Sequence, residues 1–491
     1  MNKKNLKNII AGIFILLAFI ATSTIPYIQN GDELWTFSNT YKLYNGISLY
    51  NENNVIVTPL FFWIGNILFK LFSATFLTYK IYNLLIIFAL YLIVYKILKA
   101  CKIKDEISII ITIISMFLYR IVSRIGANYT ILALVFFMVG ILNLIRNNDK
   151  KINIVFQGII TFLIFLTKQN IGIYYFLGLI VYILTKKEKI KDIIKLCITI
   201  IIPTLLFLGY EYYIGELYNF INYAFLGIGE FAQNNIIVEG YTYTQILIAL
   251  QIGTIIAAIT QMLENKRKNK KDEILKVLFI FSIVNMMFEY PIFNLYHVSS
   301  GIITITILLA YIIYGYVRKI EINQEQKDIL KSIIKNILIV IFIVLIVLDI
   351  NTAVFINKAF QEENKNFRMN DPFYGGIISE EESEYDEVMQ FIKDKRKEGS
   401  NVIIFDIRAN LYMIPLNENN QDYDLPMLGN WGKDGENRVL EDIKTKTNTY
   451  FLTYEETRNI TTQESKKIKD YIKENSRNDG KIGKYDIYYK D

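Results

Sequence analysis

Asn30-Gly31-Asp32-Glu33-Leu34-Trp35 follows an apolar run, residues 9–28, that is long enough to cross a bilayer core of about 30 Å. If that run crosses from inside to outside, Asp32 and Glu33 land at the outer membrane face. Ionisable groups at the edge of a hydrophobic slab are costly and mark function by default. The structural alternative is that Asp32 caps a short helix starting at Glu33, a position that favours Asp. One carboxylate can do both jobs, so the rest of the chain has to decide.

Outward from this stretch, apolar runs recur. The chain has 491 residues, 53% of them hydrophobic, with 35 Tyr and 32 Phe, and the runs continue as far as residue 356. Lys3, Lys4 and Lys7 precede the first run, which is long for a signal peptide and has no clear small-x-small cleavage site, so it reads as retained. Residues 33–44 then read as a short helix with Gly46 as its stop. Residues 59–72, only about fourteen long, suit an interfacial or re-entrant segment. Further spans are expected over residues 75–98, 107–122, 129–145, 154–167, 171–184, 193–210, 244–263, 277–290, 297–316 and 337–356. This gives about eleven transmembrane helices. The strongly basic loops, such as those at Lys99, Lys102 and Lys104 or at Lys186, Lys187 and Lys189, all fall on one side. By the positive-inside rule that side is the cytoplasm, with the N-terminus inside and the C-terminus outside. The formal charge of +6 reflects these loops and gives no nucleic-acid signal.

After residue 356 the composition turns charged, with Gly and Pro punctuation. Residues 357–491 read as one extracytoplasmic domain, and residues 1–356 as the membrane domain with an outer loop at 29–74. In the soluble part, residues 380–397, 438–446 and 462–474 read as helices and residues 401–407, 449–453 and 485–489 as strands. This alternation predicts a small α/β layer fold. Gly429-Asn430-Trp431-Gly432 reads as a turn. The two cysteines, Cys101 and Cys197, lie in the membrane part, so no disulfide holds the soluble domain. No metal-ligand pattern is present and no cofactor is expected, with a divalent cation left open.

The ionisable residues assigned to the outer face are Asp32, Glu33, Glu52, Glu211, Glu216, Glu230, Glu239 and Glu289 among the acids. Arg120, Arg124, Lys168 and His297, the only histidine, are the bases. Arg124 and Lys168 sit at outer ends of different spans. Two cations facing a carboxylate pair at a membrane surface suit a lipid phosphate entering from the bilayer. The bland alternative for each cation is snorkelling to the interface, and His297 has a plain structural option in pairing with Glu289 or a backbone carbonyl.

The order of features resembles the GT-C superfamily of polytopic glycosyltransferases. Within it, the similarity is to the family 39-like branch, with the protein O-mannosyltransferases and the aminoarabinose transferase of lipid A. The resemblance rests on Asp32-Glu33 and Trp35 after the first span, and on Gly46-Ile47-Ser48-Leu49-Tyr50. It continues with Pro59-Leu60-Phe61-Phe62 through Lys70-Leu71-Phe72, then Leu166-Thr167-Lys168-Gln169, then Tyr290-Pro291. It covers about the first 300 residues. The chain departs from the family pattern at Val57-Thr58-Pro59, where Lys-Pro-Pro is common, and at Asn128, where an Asp is common.

The resemblance implies direct, inverting transfer of a sugar from a polyprenyl phosphate to an acceptor hydroxyl. The acceptor would be an envelope polymer, a glycolipid or a protein. Asp32 would be the general base, with Glu33 beside it as the second catalytic candidate. Arg124 and Lys168 would hold the leaving phosphate, and Arg120, Tyr290 and His297 are further substrate-binding candidates. Two other readings compete: a transporter or flippase of a lipid-linked or envelope component, and a non-catalytic envelope scaffold. The charges gather at one face, whereas transporter sites lie near the midplane. A scaffold leaves Asp32, Glu33 and Lys168 without a purpose.

Overall fold

The computed structural model describes residues 32–122, 128–147, 152–186, 189–234, 237–238, 242–268, 272–290, 292–293, 295–319, 373–374, 382–406, 408–418, 420, 423, 426, 428–454 and 465–491. The first and eleventh expected spans, Asn30, Gly31 and Glu239 lie outside the described residues. The chain divides into two compact units. One holds Leu84–Thr204 and Ile237–Ala359 together with Met1–Ile25, and the other holds Pro26–Asn83, Leu205–Ile236 and Phe360–Asp491. The division falls within two long helices.

The apolar runs become helices. They are α3 (Phe76–Ala100), α4 (Asp105–Val122), α5 (Tyr129–Arg146), α6 (Ile154–Thr167), α7 (Gln169–Leu184), α8 (Lys189–Tyr213), α11 (Thr242–Arg267), α12 (Glu273–Met286) and α13 (Leu295–Lys319). All of these lie in the first unit except the start of α3 and the end of α8. Five of the described helices are long and apolar enough to cross a membrane. Helix α8 exposes Ile194, Ile198, Ile201, Ile202, Leu205 and Leu206, a surface that suits lipid. Its far end exposes Tyr212 and Tyr213, as expected where a span meets the headgroups. At 14 and 16 residues, α6 and α7 reach only about 21–24 Å at 1.5 Å per residue.

Polar contacts sort the helix ends. At one end, Lys186 bonds Glu273 (2.6 Å), the Tyr311 hydroxyl donates to Asp272 (2.9 Å), and Lys99 pairs with Asp105. At the other end, Lys168 reaches Thr130. Several helix boundaries differ from the sequence reading. Helix α12 starts at Glu273 and stops at Met286, followed by a 3-10 turn, Met287–Glu289. After Pro291 the chain forms a short strand, Ile292–Phe293 (β2), which pairs in parallel with Ile237–Val238 (β1).

The second unit contains α1 (Asp32–Tyr44) and α2 (Leu60–Leu71), and the segment after α8. That segment forms α9 (Leu217–Ile221), a π turn at Asn222–Leu226 and α10 (Gly227–Asn234). It also contains the soluble α/β domain. There α14 (Glu382–Lys397), β3 (Asn401–Phe405), α15 (Ala409–Met413), α16 (Gly435–Thr445), β4 (Thr449–Thr453), α17 (Lys466–Asn475), β5 (Arg477–Ile482) and β6 (Tyr485–Lys490) follow in order. The four-stranded sheet has the order β3-β4-β6-β5, parallel between β3 and β4 and antiparallel elsewhere. Ile403, Phe405 and Phe451 from the strands pack with Val439, Ile443, Ile468 and Ile472 from α16 and α17 around the fully buried Trp431. Ser465 begins α17, accepting a hydrogen bond from the Ile468 amide. Strand β5 and helix α15 were not expected from the sequence.

The turn at residues 429–432 has a packing task. Gly429 and Gly432 both take positive φ, 92° and 78°. A Cβ on Gly429 would stand 2.4 Å from the Phe231 backbone, and one on Gly432 would stand 2.5 Å from the Asn222 side chain. The Lys433 amide donates to Asn222 Oδ1 (3.0 Å). The domain thus rests backbone against backbone on the segment after α8.

Candidate functional site

Helix α1 carries the acidic pair. From Glu33 to Thr40 every residue is buried, although Thr36, Ser38, Asn39 and Thr40 are polar. These side chains bond back one turn, to the carbonyls of Asp32 (2.6 Å), Leu34 (2.6 Å), Trp35 (2.8 Å) and Thr36 (2.7 Å). Such local bonds satisfy polar groups that have no water. The helix ends at Gly46, φ 87°, with the Gly46 amide on the Leu43 carbonyl and the Ile47 amide on the Lys42 carbonyl. That is the left-handed stop glycine permits. On its flanks, Phe37 meets the rings of Phe69, Phe76, Tyr79, Phe373 and Tyr374. Gly65 of α2 lets the two helices close, since a Cβ there would lie 2.6 Å from Thr40.

The two carboxylates have different surroundings. Asp32 is half-buried in the first helical turn, where the helix dipole favours a negative charge. Glu33 is 1% exposed and forms an ion pair with Lys80 of α3. Tyr79 bonds Thr36 through its hydroxyl and lies within electrostatic reach of both acids. Lys80 and Tyr79 were missed as site residues. Pairing across 47 positions leaves no local pattern.

The Gly46-to-Tyr50 step is anchored from afar. Tyr50 is buried, its amide donates to Glu216 Oε2 (3.2 Å) and its hydroxyl donates to the Val57 carbonyl (2.9 Å). Burial first, and then the charges of Glu211 and Glu216, hold the Tyr50 phenol well above its ordinary range. Burial likewise raises Glu216, and Glu52 adds to this, while the Ser48 and Tyr50 hydrogen bonds oppose it.

In the first unit, Lys168 is the single non-helical residue between α6 and α7, with φ −154° and ψ 110°. Its Nζ donates to Thr130 Oγ1 (2.9 Å) and stands 5.2 Å from the centre of the Tyr129 ring. Asn128, at the position where the family pattern has an acid, caps α5 by accepting from the Thr130 amide (2.9 Å). His297 in the first turn of α13 is close enough to Lys168 to feel its charge. Tyr290 is extended and half-exposed beside Tyr174, whose ring stacks on Phe288. The structure therefore brings Lys168 and His297 together, with Tyr129 and Thr130 as unforeseen neighbours. Arg120 lies in the last turn of α4. Its side chain and the whole of Arg124 lie outside the described residues. Among the described residues, no group of three or more His, Cys, Asp or Glu is arranged to hold a metal ion.

Long apolar helices, five of them long and apolar enough to cross a membrane among the described residues, and a small α/β domain make up a fold of the GT-C kind. Two solved structures carry this likeness. The first is ArnT from Cupriavidus metallidurans bound to undecaprenyl phosphate, with TM-score 0.53 and 9% identity over 98% of this chain and 97% of that one. The second is the Archaeoglobus fulgidus oligosaccharyltransferase in complex with Zn and sulfate, with TM-score 0.51 and 10% identity over 90% of this chain and 68% of that one. No family model and no curated protein matches the sequence.

Proposed function

We propose that the chain is a membrane glycosyltransferase. It moves a sugar from a polyprenyl phosphate to a hydroxyl of an envelope acceptor, at the outer face of the plasma membrane. The observation that carries this reading is the likeness, over nearly the whole chain, to a protein solved with undecaprenyl phosphate. Within the first unit, Lys168 beside His297 at one helix end supports it. Asp32 takes the proton of the acceptor hydroxyl, whose oxygen attacks the anomeric carbon. The bond from that carbon to the phosphate oxygen breaks, and the anomeric carbon inverts. The departing polyprenyl phosphate gains negative charge, which Lys168 offsets, with Arg124, Arg120, His297 and Tyr290 completing the substrate site. Glu33, held by Lys80, keeps the start of α1 in place.

The test is transfer of labelled sugar from undecaprenyl-phosphate donors to acid-stable product, in membranes with and without the protein. Asp32→Asn should abolish transfer while expression and insertion are unchanged. Substantial transfer by that variant would remove Asp32 as the base. Donor that crosses the bilayer without any sugar transfer would point to a flippase.

A further inference from the structure

Glu289 and Gln251 form a buried pair that the reading above leaves unused. Glu289 closes the 3-10 turn after α12 and is 3% exposed, and Gln251 in α11 is fully buried. Gln251 Nε2 donates to Glu289 Oε1 (2.6 Å) and to the Val298 carbonyl (3.2 Å). Both groups lie over Gly301 of α13. A Cβ there would stand 2.6 Å from Glu289 Oε1 and 2.9 Å from Gln251 Nε2, so only a bare backbone leaves room for them. Gly301 follows His297 by four residues and therefore shares its face of α13. That face carries in succession the imidazole beside Lys168 and the carboxylate–amide pair. Gln251 Oε1 is buried with no hydrogen-bond partner. A buried acceptor without a donor is costly, and a ligand hydroxyl would relieve it.

We infer that Glu289 and Gln251 hold hydroxyl groups of the donor sugar, and so help to set which sugar is used. This rests on the glycosyltransferase reading. One helical turn, about 5.4 Å, separates the pair from the cation end, which is roughly the width of a sugar ring. A phosphate at Lys168 and His297 would then leave ring hydroxyls facing the pair. A carboxylate and an amide oxygen are acceptors that ring hydroxyls match, and of the two the Gln251 oxygen has no other donor.

The test uses the full chain in lipid nanodiscs and three probes: undecaprenyl phosphate without sugar, and its hexose and pentose phosphodiesters. The parent should bind one of the sugar-bearing lipids roughly ten-fold more tightly than the bare lipid, as expected for hydrogen bonds to a charged group. Glu289→Gln should erase that gap and leave the affinity for bare lipid within about two-fold. Gly301→Ala, which crowds the pair without removing a polar atom, should do the same. Lys168→Ala should weaken binding of all three lipids. A parent with no preference for sugar-bearing lipid overturns the inference. So does a Glu289→Gln variant that keeps the gap or weakens all lipids equally. A parent that binds none of the lipid phosphates overturns the glycosyltransferase reading instead.

Discussion

Asp32 and Glu33 are neighbours in sequence, yet only Glu33 is fully buried and tied to a lysine. Removing one member of such a pair leaves an uncompensated charge, at a cost on the order of 3 kcal/mol. Lys80→Met should therefore lower the unfolding temperature clearly, and adding Glu33→Gln should restore much of it. Thermal unfolding of the parent, both single variants and the double variant measures the coupling. If the double variant is no more stable than Lys80→Met, the pair does not hold α1. The second residue-scale expectation concerns Lys168, pinned by its one-residue break and by Thr130. If Lys168 offsets the phosphate charge that grows as the sugar leaves, as proposed, Lys168→Ala should lower turnover with little change in the acceptor Michaelis constant. Lys168→Arg should restore only part, since a planar fork approaches phosphate differently from an ammonium. Full activity in Lys168→Ala would make this lysine an interfacial anchor.

Among the elements, the loop after α1 depends most on distant partners. Gly46 stops the helix, and Tyr50 is then caught by Glu216 beyond the end of α8. The Glu216 carboxyl is raised, first by burial, so the folded state holds its proton more tightly than the unfolded chain does. The stability this gives is full at acidic pH and is lost as pH rises through the raised value. Glutamine keeps an acceptor for the Tyr50 amide and cannot ionise. Glu216→Gln should thus gain unfolding temperature relative to the parent as pH goes from about 4.5 to 8. A difference that stays constant with pH would show that Glu216 does not carry this linkage.

For the whole molecule, the α/β domain touches both α1 and the segment after α8, through α15 and through the turn at Gly429 and Gly432. The expectation from the sequence, that basic loops are cytoplasmic, makes the C-terminal side the outer one. A reporter fused after Asp491 should accordingly be active only outside the cytoplasm, and activity only inside would refute the topology.

Apolar helices, and the places of Asp32, Glu33, Gly46, Tyr50 and Lys168 at helix ends and loops, were legible in the sequence, because burial and helix termination act on local composition. Strands β3, β4 and β6 could be read for the same reason, as apolar runs bounded by polar turns. Strand β5 could not. Its residues are exposed except Ile482, and pairing with β6, not burial, makes it a strand. The partners that give the site its character were equally hidden. Lys80 on Glu33, Thr130 under Lys168, Glu216 on Tyr50 and Gln251 on Glu289 join positions 38 to 166 residues apart. The sequence determined which residues are ionisable and where along the chain they stand. Only the tertiary structure decided which of them are buried together, because a buried charge or amide takes its partner from whatever element packs against it.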